Sequence, residues 1–426
     1  MNSALVKPIA RFLSRQGRVD FGPVRDPRAR RGRRWSTQAL LGTLLLGFVA
    51  VERTLRDVEA LTLRLGALGR KLGIHKRLPD STLALFVSRL TDERGLRQCL
   101  VNQVRAAERR KALVPVRLPI NMVVVDNKTV WCSRSKVDPQ AQKAHHDGFT
   151  TYNLRYVNAV LASAASQPCI DRRLIPARTN ECGVFPQFFA QLVKTYGRGP
   201  FLELVSTDAG ITSADNARLV DAAGVGYLMA VKGDQPTLFE EAQRLLGSGA
   251  KKQAGYVCEA KTPWERYKGR RVRRELFRCR FEGWPGWESA RQLWRVKQTT
   301  ETPDCERNVE NRYFVTNLPW GRLKSLEVLA VVRAHWAIED GLHWTLDVVL
   351  REDKQVWCKQ GKAVRMLSWL RAMAYNALRM LRDRHLRSDD NRHRRWSDLT
   401  RDIVAALQAP SLPRGTLDAE VVGITL

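Results

Sequence analysis

Acidic residues and long apolar runs are both scarce in this chain, and each shortage excludes a class of protein. Only 43 Asp and Glu stand against 72 Lys and Arg, so the formal charge is +29 and the pI is near 10.4. The longest apolar stretch, residues 39–51, falls short of the roughly 20 residues that a membrane-spanning helix needs. A membrane surface is the weaker partner because no lipidation motif or basic amphipathic anchor stands out. The charge therefore indicates a polyanionic partner, with nucleic acid favoured.

Cysteine and histidine are also sparse, and neither is spaced as a metal ligand. The chain has eight cysteines and seven histidines, without a Cys-x-x-Cys pair and without histidines at zinc-site spacing. The cysteines are therefore predicted to be free thiols in a reducing compartment, and the cytoplasm is the expected location. The adjacent His145 and His146 indicate a polar loop, because neighbouring side chains point apart on a strand or a helix.

The pattern of apolar and polar residues changes several times along the 426 residues. The first 35 residues hold ten Lys or Arg against two Asp, which predicts a flexible basic arm. Helical periodicity then dominates, followed by a region in which strand and helix signals alternate, which predicts a mixed α/β sheet. The predicted segments are the arm (1–35), a helical domain (36–114), the first part of an α/β core (115–249), a β-rich insertion (250–316), a second, helical part of the core (317–386) and a basic C-terminal tail (387–426).

Three acidic side chains stand in contexts that folding can bring together. Asp126 ends the apolar run 122–125, and Asp208 closely follows the run 202–205. Neighbouring strands lie about 5 Å apart, so carboxylates at two strand ends can hold two cations about 4 Å apart. Taken singly, an Asp at a strand end is more often a turn residue. A basic chain with such a cluster nevertheless favours a metal-dependent enzyme of nucleic acids, since bare carboxylates would repel a phosphodiester.

The third carboxylate, Glu339, lies in a predicted helix. Ile338, Leu342 and Leu346 repeat every four residues and form an apolar stripe, which places Glu339 and His343 on the adjoining strip. A helix packed through that stripe would direct Glu339 along the edge of the sheet.

The sequence around Glu339 is long and specific. Residues 333–348 read Arg-Ala-His-Trp-Ala-Ile-Glu-Asp-Gly-Leu-His-Trp-Thr-Leu-Asp-Val, with Glu-Asp at 352–353. This stretch closely resembles the signature around the catalytic Glu of the DDE transposases of bacterial insertion sequences. Residues 125–128 resemble the family's first-strand Asp-Gly-Lys, and 207–209 resemble its Gly-Asp-Ala. Residues 230–235 resemble the Val-Lys-x-Asn-Gln that follows, and the likeness extends over about residues 25–386.

The resemblance implies a fold, a reaction and its partners. The fold would be α/β, with a ribonuclease-H-like mixed sheet core, a β-rich insertion and a preceding transposase-associated α-helical domain. Asp126, Asp208 and Glu339 would be the catalytic residues and would bind two Mg²⁺ ions, with Mn²⁺ as a substitute. The reaction would be cleavage at the ends of an insertion sequence and strand transfer into target DNA. The partners would be double-stranded DNA at the element ends and at the target, and a second copy of the chain as a homodimer in the DNA complex, bound to the nucleoid.

Several positions depart from the family pattern. Asn127 replaces Gly, Asp234 replaces Asn, and Asp340 replaces the Asn that usually follows the Glu. Where the family has His-Gly-Arg-x-Glu-x-Arg, residues 268–274 read Lys-Gly-Arg-Arg-Val-Arg-Arg. Two alternatives therefore stay open: a DNA-binding protein derived from such an enzyme that no longer cuts, and a structure-specific nuclease that hydrolyses without joining.

Supporting and DNA-binding residues are predicted from position and charge. His335 and His343 flank Glu339 at i−4 and i+4, where they would either orient a phosphate or water or simply pack. Basic clusters with few acidic neighbours predict phosphate contacts. The predicted DNA-binding residues are Arg28, Arg30, Arg31, Arg33, Arg34, Lys128, Lys232, Lys268, Arg270, Arg271, Arg273 and Arg274.

Overall fold

The computed structural model contains one large mixed sheet surrounded by helices. It describes residues 3–15, 19–67, 69, 73–197, 201–247, 257–267, 269–304, 306–354, 357–386 and 394–409. The strands are β1 (Met122–Ser133), β2 (Gln142–His146), β3 (Phe149–Leu161), β4 (Cys169–Leu174), β5 (Leu204–Thr207), β6 (Gly226–Val231), β7 (Ala260–Lys261), β8 (Glu265–Tyr267), β9 (Arg270–Arg280), β10 (Gln292–Glu301) and β11 (Arg307–Thr316).

Eleven α-helices lie within the described residues. They are α1 (Ser3–Arg15), α2 (Thr37–Val49), α3 (Leu55–Leu63), α4 (Asp80–Arg89), α5 (Glu93–Arg109), α6 (Glu181–Tyr196), α7 (Ala214–Ala222), α8 (Pro236–Leu246), α9 (Ser325–His335), α10 (Gly361–His385) and α11 (Trp396–Gln408). None of them, over the part of the chain that the structure covers, combines the length and the apolar character needed to cross a membrane.

The centre of the sheet is built from strands that are buried on both faces. β1 pairs antiparallel with β3 and parallel with β5, and β6 continues the parallel pairing from β5. The side chains from Met122 to Val125 are fully buried, as expected for a strand covered by helices on both sides. The predicted mixed α/β fold is confirmed.

The predicted insertion does not form a separate sheet. Its last strand, β11, pairs antiparallel with β6 of the core, and β10 and β9 follow outward in turn. The order along the sheet is β2-β3-β1-β5-β6-β11-β10-β9-β7, with β4 paired to β3 and β8 paired to β9. The basic β9 is therefore held in the same sheet as Asp126 of β1.

Three expectations are corrected by the backbone. β1 runs on to Ser133 because residues 127–133 continue to pair with β3, so Asp126 lies within a strand and not at its end. Residues 3–15 are not a flexible arm, since α1 buries Ile9 and Phe12 in the core. Within the expected C-terminal tail, residues 396–408 likewise form a helix, α11, which packs against α1.

The cysteines agree with the prediction as far as the structure describes them. Seven of the eight are free thiols: Cys99, Cys132, Cys169, Cys182, Cys258, Cys279 and Cys358. Cys305 lies outside the described residues.

Candidate active site

Asp126 and Asp208 lie at the same level of two adjacent strands. Val125 of β1 is the register partner of Thr207 of β5, and each of these residues immediately precedes one of the two aspartates. Because the pairing is parallel, the two carboxylates follow at corresponding positions on strands about 5 Å apart. The sheet thus brings together two residues that are far apart in the sequence.

Glu339 reaches the same region from the helix after α9. Beyond His335 the chain continues in wide π-helical turns over Ile338–His343 and Thr345–Val349. The apolar stripe predicted for a regular helix survives, since Ile338, Leu342 and Leu346 are all buried. Glu339 lies beside it and is exposed. Wider turns of this kind are frequent at functional sites, because they displace one side chain without ending the helix.

The electrostatics link the three carboxylates. Burial raises the pKa of Asp126 from 3.8 to about 7, with further contributions from the negative charges of Asp208, Glu339 and Glu181 and an opposing backbone hydrogen bond from Asn127. Although the Glu339 residue as a whole is exposed, its carboxyl is partly desolvated, which raises its pKa, and the charges of Asp208 and then Asp340 add to this effect. The members of the trio therefore repel one another, as carboxylates do when no cation stands between them.

Both predicted supporting histidines contact the strands that hold the aspartates. The Nδ1 atom of His335 lies 2.8 Å from the Oγ of Ser206, two residues before Asp208. The Nδ1 of His343 lies 3.7 Å from Oδ2 of Asp126. Burial lowers the pKa of His335 to about 4 and that of His343 to about 3, with the charges of Lys128 and Arg172 adding to the effect on His343. Both rings are neutral near pH 7, so neither supplies a positive charge for a phosphate.

The two lysines predicted to contact DNA have different surroundings. Lys232 is exposed, with its ammonium 3.6 Å from Oδ1 of Asp208, at the rim of the acidic cluster. Lys128 is buried, and its ammonium lies 2.6 Å from Oδ1 of Asp347 and 3.6 Å from Oε2 of Glu352. Lys128 is therefore corrected to a structural ion-pair residue, because its ammonium faces the interior and not the solvent.

The N-terminal arginines also differ in their surroundings, since some are exposed and one forms a two-pronged ion pair within the protein. Arg30, Arg31, Arg33 and Arg34 are exposed around a short turn before α2. Arg28 instead forms a two-pronged ion pair with Asp26, and its Nη2 also donates to the carbonyl of Trp35 at 2.6 Å. Arg28 therefore closes this turn and is corrected from DNA contact to structural residue.

The arginines of β9 differ in their exposure to solvent, and simple alternation along the strand does not account for the difference. Arg270 and Arg271 are exposed. Arg273 lies with its guanidinium 4.6 Å from the ring centroid of Trp264, while Arg274 is buried and donates to Gln298 at 3.1 Å and to Glu265 at 3.4 Å. Arg274 is thus also corrected to a structural role, and Lys268 lies outside the described residues.

The donor set fits a hard divalent cation. Carboxylate oxygens are the preferred ligands of Mg²⁺, which commonly uses one or two of them together with water and substrate phosphates. A cation would also relieve the repulsion that, after burial, contributes to the raised pKa of Asp126. Among the described residues, the side chains form no group of three or more His, Cys, Asp or Glu that could hold a metal ion. The trio is therefore not a preformed three-ligand metal site.

Several residues of this region were missed by sequence reasoning. Ser206 and Asn158 reach the site only through strand register, which no local pattern shows. Tyr267 donates a hydrogen bond to Oδ2 of Asp340 at 2.6 Å, so the strand β8 touches the helix that holds Glu339. For the contact between Tyr267 and Asp340, the only signal in the sequence was that Asp340 departs from the family pattern.

Acidic side chains on adjacent parallel strands, completed by a Glu on a later helix, define a ribonuclease-H-like transposase core. The family model described as "Transposase DDE domain" matches residues 119–377, more than half of the chain. The chain belongs to this family of transposases, and the predicted family is confirmed.

Curated relatives agree with this assignment. The chain is 28% identical over 223 residues to the "H repeat-associated putative transposase YhhI" of Escherichia coli (strain K12). The matched region covers 49% of this chain and 55% of the relative. It is 28% identical over 198 residues to the "Putative transposase YncI" of Escherichia coli O157:H7, covering 42% and 46%. The "Putative protein YbfL" of strain K12 is matched at 28% over 223 residues, covering 49% and 55%. The chain thus spans about half the length of the relatives it matches.

Proposed function

We propose that this transposase cleaves DNA at the ends of an insertion sequence and joins those ends to target DNA. The observation that carries the proposal is the placement of three carboxylates, two at matching positions of adjacent strands and one on a π-helical turn, in one electrostatic environment. A chain with a formal charge of +29 supplies the complementary surface for DNA.

The chain's own residues divide the work. Asp126, Asp208 and Glu339 would hold two divalent ions, Mg²⁺ or Mn²⁺. When bound, such ions activate a water or a DNA 3′-hydroxyl and stabilise the leaving oxygen. The neutral His335 contacts Ser206, and the neutral His343 contacts Asp126, so the two rings hold the Glu339 helix against the two strands. Lys232 lies at the rim of the acidic cluster, where a DNA phosphate would enter. Two element ends must be held together for joining, so the DNA complex is proposed to contain a homodimer.

The exposed arginines of β9 are proposed to bind the DNA backbone. The double variant Arg270→Gln, Arg271→Gln is expected to weaken binding of any duplex, because phosphate contacts are independent of sequence. Each lost contact should lower the slope of log K against log salt by about 1. The slope is measured by titrating labelled DNA at several salt concentrations.

Exposed arginines elsewhere on the chain supply the control for this experiment. Arg218→Gln is a matched surface change, since Arg218 is exposed and pairs with Asp215. It should leave the slope unchanged. An unchanged slope in the β9 double variant would remove these arginines from the interface.

One observation favours a second function, that of a DNA-binding protein which no longer cuts. Position 272, where the family has Glu, is a buried Val on β9 with Glu265 and Thr300 as register partners. A carboxylate is therefore missing from this position. The acidic trio is complete, however, which supports the enzyme as the first proposal.

Purified protein incubated with Mg²⁺ and DNA carrying the terminal repeats separates these functions. Nicked and joined products are expected. Binding without cleavage would support the non-cutting protein, and hydrolysis without joining would support a structure-specific nuclease. The same incubation with EDTA should yield no products.

A further inference from the structure

Asn158 lies on β3, the neighbour of β1 on the side away from β5, and His343 contacts both Asn158 and Asp126. Asn158 is the register partner of Asp126 on β3, and its side chain is fully buried. His343 follows Glu339 by four residues on the π-helical segment and is nearly as buried. One short chain of polar atoms therefore connects β3, the Glu339 helix and the carboxylate of β1.

The donor that faces His343 determines which ring nitrogen carries the proton. The amide Nδ2 of Asn158 lies 3.5 Å from Nε2 of His343. An amide nitrogen only donates, so Nε2 has to accept and the single proton of the neutral ring has to lie on Nδ1. That N–H faces Oδ2 of Asp126 at 3.7 Å.

The other oxygen of Asp126 is also held. Its Oδ1 accepts the backbone N–H of Asn127 at 2.7 Å. Both oxygens thus face N–H groups of the protein, which leaves their remaining lone pairs for a cation. Histidines and amides placed behind a ligating carboxylate orient it and tune its affinity for a metal.

We propose that His343 and Asn158 are positioning residues, which orient the Asp126 carboxylate for a divalent cation through the Nδ1–H tautomer of His343. This inference rests on the proposed function, because it assigns the cation to Asp126. His343 touches neither DNA nor cation, and it acts only through Asp126. Asn158 acts only through His343.

The test is the affinity of the whole chain for Mn²⁺, measured without DNA from the rise in unfolding temperature during a titration. His343→Leu removes the N–H and should weaken the affinity roughly 10- to 100-fold. His343→Asn places an amide N–H near the position of Nδ1 and should stay within about 3-fold of the wild type. If both variants weaken the affinity equally, the ring only packs and the proposal is overturned.

A double-mutant cycle tests the link to Asn158. Asn158→Leu alone should weaken Mn²⁺ binding, since it removes the donor that selects the tautomer, but it should have no further effect in the His343→Leu background. Asn153→Leu, the same change elsewhere on β3, is the control. It should leave the Mn²⁺ affinity unchanged in both the wild type and the His343→Leu variant. Additive effects would overturn the proposal, and so would an Asn158→Leu variant that binds Mn²⁺ like the wild type.

These measurements separate the inference from the proposed function. A wild type that binds Mn²⁺ but leaves terminal-repeat DNA uncut would refute the proposed function, while the affinities of the variants would still test His343 and Asn158. A wild type without any Mn²⁺-induced stabilisation would overturn the inference itself. The ¹⁵N spectrum of the His343 ring gives a second readout, because the Nδ1–H and Nε2–H tautomers have different ¹⁵N chemical shifts.

Discussion

Asp126→Asn is expected to abolish cleavage of terminal-repeat DNA, with a loss on the order of 10³-fold or more, while DNA binding stays within about 2-fold. Asp208→Asn and Glu339→Gln should have the same effect. The reason is that each change keeps the size of the side chain and removes a charged metal ligand from a cluster of only three. Cleavage is measured on labelled ends in Mg²⁺, and binding is measured on the same DNA in EDTA.

Asp234→Asn is the matched control for these variants. Asp234 is exposed in the loop between β6 and α8, and the change restores the residue that the family pattern has at this position. It should leave cleavage intact. A carboxylate variant that still cleaved at the wild-type rate would exclude its residue from the site.

Asp126→Asn should also show that loss of activity is not loss of folding. Because burial raises the folded-state pKa of Asp126 from 3.8 to about 7, the protonated carboxyl contributes stability that is complete below about pH 4 and is lost as the pH rises through about 7. Asn cannot ionise. Without metal, at about pH 8, the variant is therefore expected to be more stable than the wild type, by roughly 1–4 kcal/mol, with the difference disappearing at low pH. Urea unfolding at the two pH values measures the effect, and a destabilised variant at about pH 8 would contradict it.

Glu352→Gln is expected to have the largest effect on stability, a loss of about 3–5 kcal/mol in the free energy of unfolding. The Glu352 carboxylate is completely buried and accepts a hydrogen bond from Ser368 at 2.5 Å. Its two oxygens lie 3.6 Å from the ammonium of Lys128 and 3.9 Å from a guanidinium nitrogen of Arg172. Neutralising it leaves buried cations on β1 and β4 with one less counter-charge, and burying an uncompensated charge is costly.

The measurement is urea unfolding of the variant beside Glu310→Gln. Glu310 is an exposed partner of Arg312 at 2.9 Å, and exposed pairs contribute about 0–1 kcal/mol. The two variants make the same chemical change in opposite environments. If Glu352→Gln lowers the free energy of unfolding no more than Glu310→Gln does, the buried ion pairs of Glu352 with Lys128 and Arg172 do not stabilise the fold.

Much of the secondary structure follows from local patterns. The apolar runs before Asp126 and Asp208 do form β1 and β5. The stripe through Ile338 also predicted which side of the helix is buried. These features depend on residues close together in the chain, so a single sequence contains the information for them.

The length of β1 and the position of the insertion could not be predicted in the same way. β1 continues through polar residues such as Asn127 and Lys128 because β3 supplies hydrogen bonds along its whole length. The basic strands join the core because β11 finds an edge at β6. Pairing between distant strands is decided by the folded sheet, and local propensity does not encode it.

The sequence by itself determined the sign of the net charge and the family, and it singled out the three candidate carboxylates, since composition and motifs are properties of the chain. Tertiary structure alone decided which basic residues stay exposed. It buried Lys128 and Arg274 beside carboxylates while leaving Arg270 and Arg271 in solvent. It also placed Asn158 and His343 beside Asp126. The physical reason is that burial and hydrogen-bond direction depend on neighbours in space, and these neighbours come from distant parts of the chain.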